Sequence, residues 1–209
     1  MARIDDYRQA VELGKKALEG KDPKYIAARS GAALGSDSKG EAVLTLLFLN
    51  REINITWPDL SISRKGTDEE VPIQQQVLLL HYLNGAQDAR IAREWIAYQE
   101  LPDGKFYLDA FLRRAKNPMV QCFGNRPELL VRLAQEIYGA EPFDQGDLSV
   151  VVRTLPLIPV ALVLWKGDEE FSPEGTILFD RSISHILSAE DIAWLCGMII
   201  YPLMGSAKT

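Results

Sequence analysis

The sequence predicts an α+β fold, a single globular domain over residues 1–209 with a mostly antiparallel sheet and helices packed on it. Two observations carry this. Helix-spaced apolar residues at the start give way, from Ala42, to short β-branched runs, and the same change of period recurs between residues 138 and 147. The blocks run helices, strands, helices, strands, which is the order of an α+β domain and not of a strictly alternating parallel one. No stretch reads as a linker and no internal repeat is present.

Each element follows from local pattern. Ile4, Tyr7, Val11 and Leu18 recur at helical spacing among Asp5, Glu12, Lys15 and Lys16, a surface helix ending near Gly20. Asp22 as cap and Pro23 in the first turn start a second short helix to Arg29. Residues 30–41, rich in Gly and Ser, read as a loop. "AVLTLLFLN", "REINITWP" and "LSIS" then form a small antiparallel meander, turning at Asn50-Arg51 and at Pro58-Asp59. "VPIQQQVLLLHYLNG" is a helix with Ile73, Val77 and Leu80 toward the core and Gly85 as its stop. "EWIAYQELPDGKFY" is a strand followed by a Pro-Asp-Gly turn. Residues 106–123 and 127–138 read as helices, with breaks at Asn117-Pro118 and Gly124-Asn125.

Residues 147–165 split at Leu155-Pro156 into two strands, and Pro159 belongs at a strand start or an edge because it cannot donate to a ladder. An acidic loop and a short "TILFD" strand follow. Ser188, with Asp191 three residues on, caps a last helix that is apolar almost all round. Such a helix is buried or makes a subunit contact, so a homodimer through it is one expectation.

Bulk properties bound the function. The chain has 209 residues, 47% hydrophobic and 25% charged, the balance of a folded protein. A chain of this size buries roughly 70% of the surface its unfolded form exposes. The formal charge is -6 and the pI about 5.1, so nucleic acid and anionic membranes are not expected partners. Cys122 and Cys196 are the two cysteines, too few for a disulfide framework, an iron–sulfur cluster or a structural zinc site. The start has no apolar signal-peptide core, and the apolar runs 155–165 and 192–204 fall short of the roughly 20 residues that span a bilayer. A soluble, cytoplasmic protein is expected.

Several segments together, "IAARSGA", "LGKK", "WPDLSIS", "LLLHYLNG", "ELPDGKFY", "LPLIPVALVLWKGDEEFSPEGTILFD" and "SHILSAED", resemble an uncharacterised domain family of anaerobic bacteria and archaea. The "LVLWKGDEEFSPEGTILFD" block is the most specific. The resemblance implies a single soluble domain and an anaerobic host. Some members carry an added cysteine-rich, iron–sulfur-type segment, which this chain lacks, so no redox role carries over. The resemblance supplies neither a reaction nor a cofactor.

Two constellations are candidates for function. Asp168, Glu170 and Asp180 with His185, accompanied by Glu169, Glu174, Glu190 and Asp191, place oxygen donors and an imidazole near one another in sequence, as a hard or transition cation requires. Their spacing matches no calcium loop and no H-E-x-x-H, and the competing reading is a solvated turn. The second is basic and aromatic: Tyr107, Arg113 and Arg114, with Lys105, Phe106, Lys116, Arg126 and Arg132 around them and Trp165 as an aromatic lining residue. Two arginines can fork a carboxylate or phosphate while an aromatic covers a flat ring; the competing reading is a solvated helix face. His81 reads as a half-buried histidine on its helix. No nucleophile elbow, Walker loop or dinucleotide fingerprint occurs, and no residue is assigned a catalytic role. The leading expectation is a binding or accessory domain of anaerobic metabolism taking a small anionic or planar ligand, or a protein partner. The alternative is a metal-assisted hydrolase using residues 168–180 with His185.

Overall fold

The computed structural model describes residues 4–67, 69–86 and 90–208. It has an α+β architecture with two antiparallel sheets. The chain divides into two compact units: Met1–Arg90 with Leu155–Leu157, and Ile91–Thr154 with Ile158–Thr209.

The first unit holds α1 (Ile4–Leu18), α2 (Pro23–Ser30), β1 (Ala33–Ser36), β2 (Ala42–Phe48), β3 (Arg51–Thr56), β4 (Ile62–Arg64) and α3 (Ile73–Gly85), the strands lying in the order β1-β2-β3-β4. Asp22 caps α2 as its sequence predicts, its carboxylate accepting from the Lys24 amide at 2.9 Å, and Gly31 ends the helix at φ 71°. Residues 30–41 are not wholly a loop. Ala33 to Ser36 pair with β2 from Thr45 to Ala42 as an edge strand with all four residues exposed. An edge strand with no buried face has no alternation for a sequence reader to find. The β2–β3 turn also moves by one residue, to Leu49 and Asn50, whose φ values are 48° and 62°; Arg51 already pairs with Phe48. Two successive left-handed residues match the twist of a tight hairpin.

α3 buries Leu78, Leu79, Leu80, Tyr82 and Leu83, while Ile73 and Val77 stay half-buried, so its contact with the core shifts toward its C-terminal half. It packs on α1, where the Asn84 amide donates to the carbonyls of Gly14 at 3.1 Å and Leu80 at 2.9 Å. Tyr82 is fully buried. Its hydroxyl donates to the Ser30 carbonyl at 2.5 Å and accepts from the Leu157 amide at 3.3 Å, and burial pushes its pKa far above the usual phenol range. Tyr82→Phe strands both groups in a dry site, and a loss of about 1–3 kcal/mol is expected, read as a lower midpoint in chemical denaturation.

The second unit holds β5 (Trp95–Ala97), α4 (Gly104–Phe111), α5 (Asn117–Phe123), α6 (Pro127–Tyr138), β6 (Glu141–Pro142), β7 (Leu148–Leu155, all but its last residue), β8 (Ile158–Trp165), β9 (Glu174–Asp180) and α7 (Ala189–Ser206), with strand order β5-β9-β8-β7-β6. The expected break at Asn117-Pro118 is absent. α4 continues into α5 through a π-turn, Leu112–Lys116, in which the Asn117 amide reaches back to the Leu112 carbonyl. The wider turn accommodates Pro118, whose ring a regular turn would set against the carbonyl four residues back. β8 is the centre of the sheet, with Val160 to Leu164 all at 0% exposure. Pro159 precedes its ladder to β9, which begins at Val160↔Phe179, as the missing donor requires.

α7 starts with the capping box read from sequence: the Ser188 hydroxyl accepts from the Asp191 amide at 3.1 Å, and the Asp191 carboxylate accepts from the Ser188 amide at 3.3 Å. Its apolar residues, Ile192, Leu195, Ile199, Ile200 and Leu203 among them, are buried, and the helix packs against α4, α5 and α6. Pro202 lies inside it and cannot donate to the Met198 carbonyl. The Tyr138 hydroxyl stands at this gap, donating to the Ile199 carbonyl at 2.8 Å and lying 3.4 Å from that of Met198. Among the described residues no helix is long and apolar enough to cross a membrane.

Candidate functional site

α1 is amphipathic. Val11, Gly14 and Leu18 turn inward, and the neighbouring shoulder of the helix carries Glu12, Leu13, Lys15 and Lys16, with Glu19 just past its end. Within the same unit this shoulder faces the β3–β4 turn, residues 57–60, across a cleft of about 530 Å³. That volume lies within the roughly 300–1,000 Å³ of small-molecule sites. The turn is held from inside. Trp57, joined to Pro58 by a cis peptide, donates its amide to the Ala42 carbonyl at 2.8 Å; the Leu60 amide donates to the Thr56 carbonyl at 2.9 Å and the Ser61 amide to the Thr56 hydroxyl at 3.2 Å.

The lining is mixed. Leu13, Leu18, Trp57 and Leu60 are its apolar part, with Leu13 61% exposed. Glu12, Lys15, Lys16, Glu19 and Asp59 bring both signs of charge, and none of the five forms an ion pair among the described residues. Sequence reading misses this site. Lys15 and Lys16 read as part of a surface helix, and no local pattern joins α1 to a turn some forty positions away.

The basic and aromatic residues do not make a fork. Arg113 is ion-paired with Asp109 on its own helix, while the Arg114 guanidinium lies 4.3 Å from the centre of the Trp194 ring. Both sit on the π-turn, and they take different partners. Tyr107 is held by Glu190, whose charge and hydrogen bond raise the phenol above its usual value. Trp165 ends β8 opposite Glu174, 40% exposed, with its ring beside Gly146.

The four acidic-loop residues do not converge either. Asp168 is spent on its own turn: its carboxylate accepts from the amides of Phe171 at 2.7 Å and Glu170 at 2.8 Å, which hold it below the usual carboxylate range. Glu170 and His185 are exposed, the latter at the end of a 3₁₀ turn, Arg181–His185. Asp180 is buried and accepts from the amides of Ala92 at 2.8 Å, Arg93 at 2.6 Å and Ser182 at 3.0 Å and from the Ser182 hydroxyl at 2.6 Å. It closes the sheet's edge segment onto β9. Among the described residues no three His, Cys, Asp or Glu side chains gather where one cation could be shared. The acidic run is therefore a folded turn and one buried staple. Cys196 is fully buried, which pushes its thiol far up, and Cys122 is half-buried; both are free.

Comparison with known proteins places the chain in one family. Residues 22–201 match the domain of unknown function DUF3786, and the chain belongs to that family. No curated protein and no solved structure matches it.

Proposed function

We propose that this member of the DUF3786 family is a binding module of anaerobic metabolism, working in the cytoplasm, and that its ligand is a small molecule seated in the cleft between α1 and the β3–β4 turn. The anaerobic setting rests on the motif resemblance, and the compartment on the acidic, cysteine-poor composition. One observation carries the ligand site: apolar side chains, and charges of both signs that form no ion pair among the described residues, line a cavity of about 530 Å³ whose turn wall is hydrogen-bonded into the sheet. A rigid wall with unengaged charges is what a binding site supplies before its ligand arrives. The basic and aromatic surface supports such a role less well, because its arginines and its tyrosine already hold protein partners.

The test is two-dimensional NMR of the full, isotopically labelled chain against a panel of small metabolites. The expected result is amide shifts confined to residues 9–20 and 57–60 and to the Trp57 indole. Leu13 is exposed, so Leu13→Glu leaves the fold intact while weakening binding by about tenfold or more, the worth of one covered leucine. Shifts that fall on residues 107–116 instead, or a panel with no response, overturn the proposal.

A further inference from the structure

We infer that the cleft takes a small zwitterion with an apolar side group, a molecule of the amino-acid type. This deepens the reading of the cleft as a ligand site and rests on it. On α1, Glu12 and Lys16 are four residues apart, a spacing at which opposite charges on a helix normally meet, and Glu19, the first residue past the helix end, follows Lys15 by the same interval. None of these four forms an ion pair among the described residues, although Arg8 and Asp5 on the same helix do, at 3.5 Å. Asp59 adds a further unengaged carboxylate from the opposite wall. Both signs of charge are thus presented beside Leu13 and Trp57, with no ion-pair partner among the described residues consuming either.

Charge complementarity then selects the ligand. An anion attracted by Lys15 and Lys16 meets Glu12, Glu19 and Asp59 at the same surface, and a cation attracted by the acids meets the lysines. Like charges brought together beside apolar surface repel more strongly than in open water. A ligand with one ammonium and one carboxylate satisfies both sets at once, while its side group covers Leu13 and the indole. Lys15 is half-buried, which limits the freedom it loses on engaging a carboxylate.

The experiment compares three probes that share a phenyl body: phenylalanine, 3-phenylpropionate, which lacks the ammonium, and phenethylamine, which lacks the carboxylate. Each is titrated into the full chain and followed at residues 9–20 and 57–60. Phenylalanine is expected to bind about tenfold or more tightly than either analogue, the worth of one charged hydrogen bond. In the Lys15→Gln/Lys16→Gln double variant its advantage over phenethylamine disappears; in the Glu12→Gln/Glu19→Gln/Asp59→Asn triple variant its advantage over 3-phenylpropionate disappears. Equal or tighter binding of an analogue at these residues overturns the zwitterion and leaves the cleft standing as a ligand site. Failure of phenylalanine to bind also overturns the zwitterion, and the cleft then stands or falls on the metabolite panel.

Discussion

Asp180→Ala is expected to destabilise the second unit by about 3–5 kcal/mol and to lower its thermal midpoint by roughly 10 °C, measured by calorimetry. Asp180 is 1% exposed and its carboxylate accepts from the amides of Ala92, Arg93 and Ser182 and the hydroxyl of Ser182. Alanine leaves these donors without an acceptor, and an unmatched buried donor loses more than the bond was worth. Asp180→Asn separates charge from shape. Three of the four donors reach the same oxygen, Oδ1, and only the Arg93 amide uses Oδ2, so asparagine keeps three bonds and sets its amide against one N–H. Its loss is expected to be clearly smaller; equal losses in the two variants would show that the negative charge itself holds the segment.

The same carboxylate gives a pH dependence with a definite sign. Burial raises its pKa, but the Ser182 hydroxyl and the amides of Ala92, Ser182 and Arg93 outweigh that and hold it below its ordinary value. A depressed carboxylate contributes stability that is fully present above its unfolded value, about 3.9, and is lost as the pH falls through the folded value beneath it. The stability gap between the parent and Asp180→Ala is therefore expected to be flat from neutral pH to about 5 and to narrow below about 4. A gap that widens in acid would contradict the assignment.

Gly104→Ala is the second large effect, about 3 kcal/mol lost. A Cβ built on Gly104 would stand 2.1 Å from the Tyr98 carbonyl oxygen and 3.3 Å from the Leu101 Cβ. The obstacle is backbone, so no rotamer change relieves it. The backbone that must move carries Tyr98, which is fully buried, stacked on Phe111 at 4.1 Å with the rings 3° apart and bonded through its hydroxyl to the Ala189 carbonyl at 2.6 Å. Displacing Tyr98 thus disturbs the contact between α4 and the start of α7. Gly205→Ala is the control: nothing lies within 4 Å of its Cβ, and no loss is expected. If Gly104→Ala costs under about 1 kcal/mol, the residue 98–104 turn yields more easily than its close approach implies.

Where the signals are local, sequence and structure agree. Asp22 and Ser188 cap the helices they announce, Pro156 turns the chain between β7 and β8, and Pro159 stands at a strand start. Each depends on a backbone group within a few residues, so the residue type alone carries the information. Other local readings failed for physical reasons: β1 is an exposed edge with no apolar alternation, the β2–β3 turn moves to the left-handed pair Leu49-Asn50, α3 buries its C-terminal half and not Ile73 and Val77, and the π-turn at Leu112–Lys116 absorbs Pro118 where a regular helix would break.

By itself, then, the sequence determined most of the elements, the caps at Asp22 and Ser188 and the α+β class, because periodicity and capping act within one turn or one strand. Tertiary structure alone decided what the charged residues do. Asp180 looks like a cation ligand in a run of acids, and becomes a staple because the Ala92 amide, 88 positions away, folds onto it. Lys15 and Lys16 look like solvated surface, and become the wall of a cleft because the residue 57–60 turn is set opposite them. Side-chain chemistry is written in the sequence, but whether a charge meets solvent, a backbone amide or a ligand depends on which distant segment is packed against it.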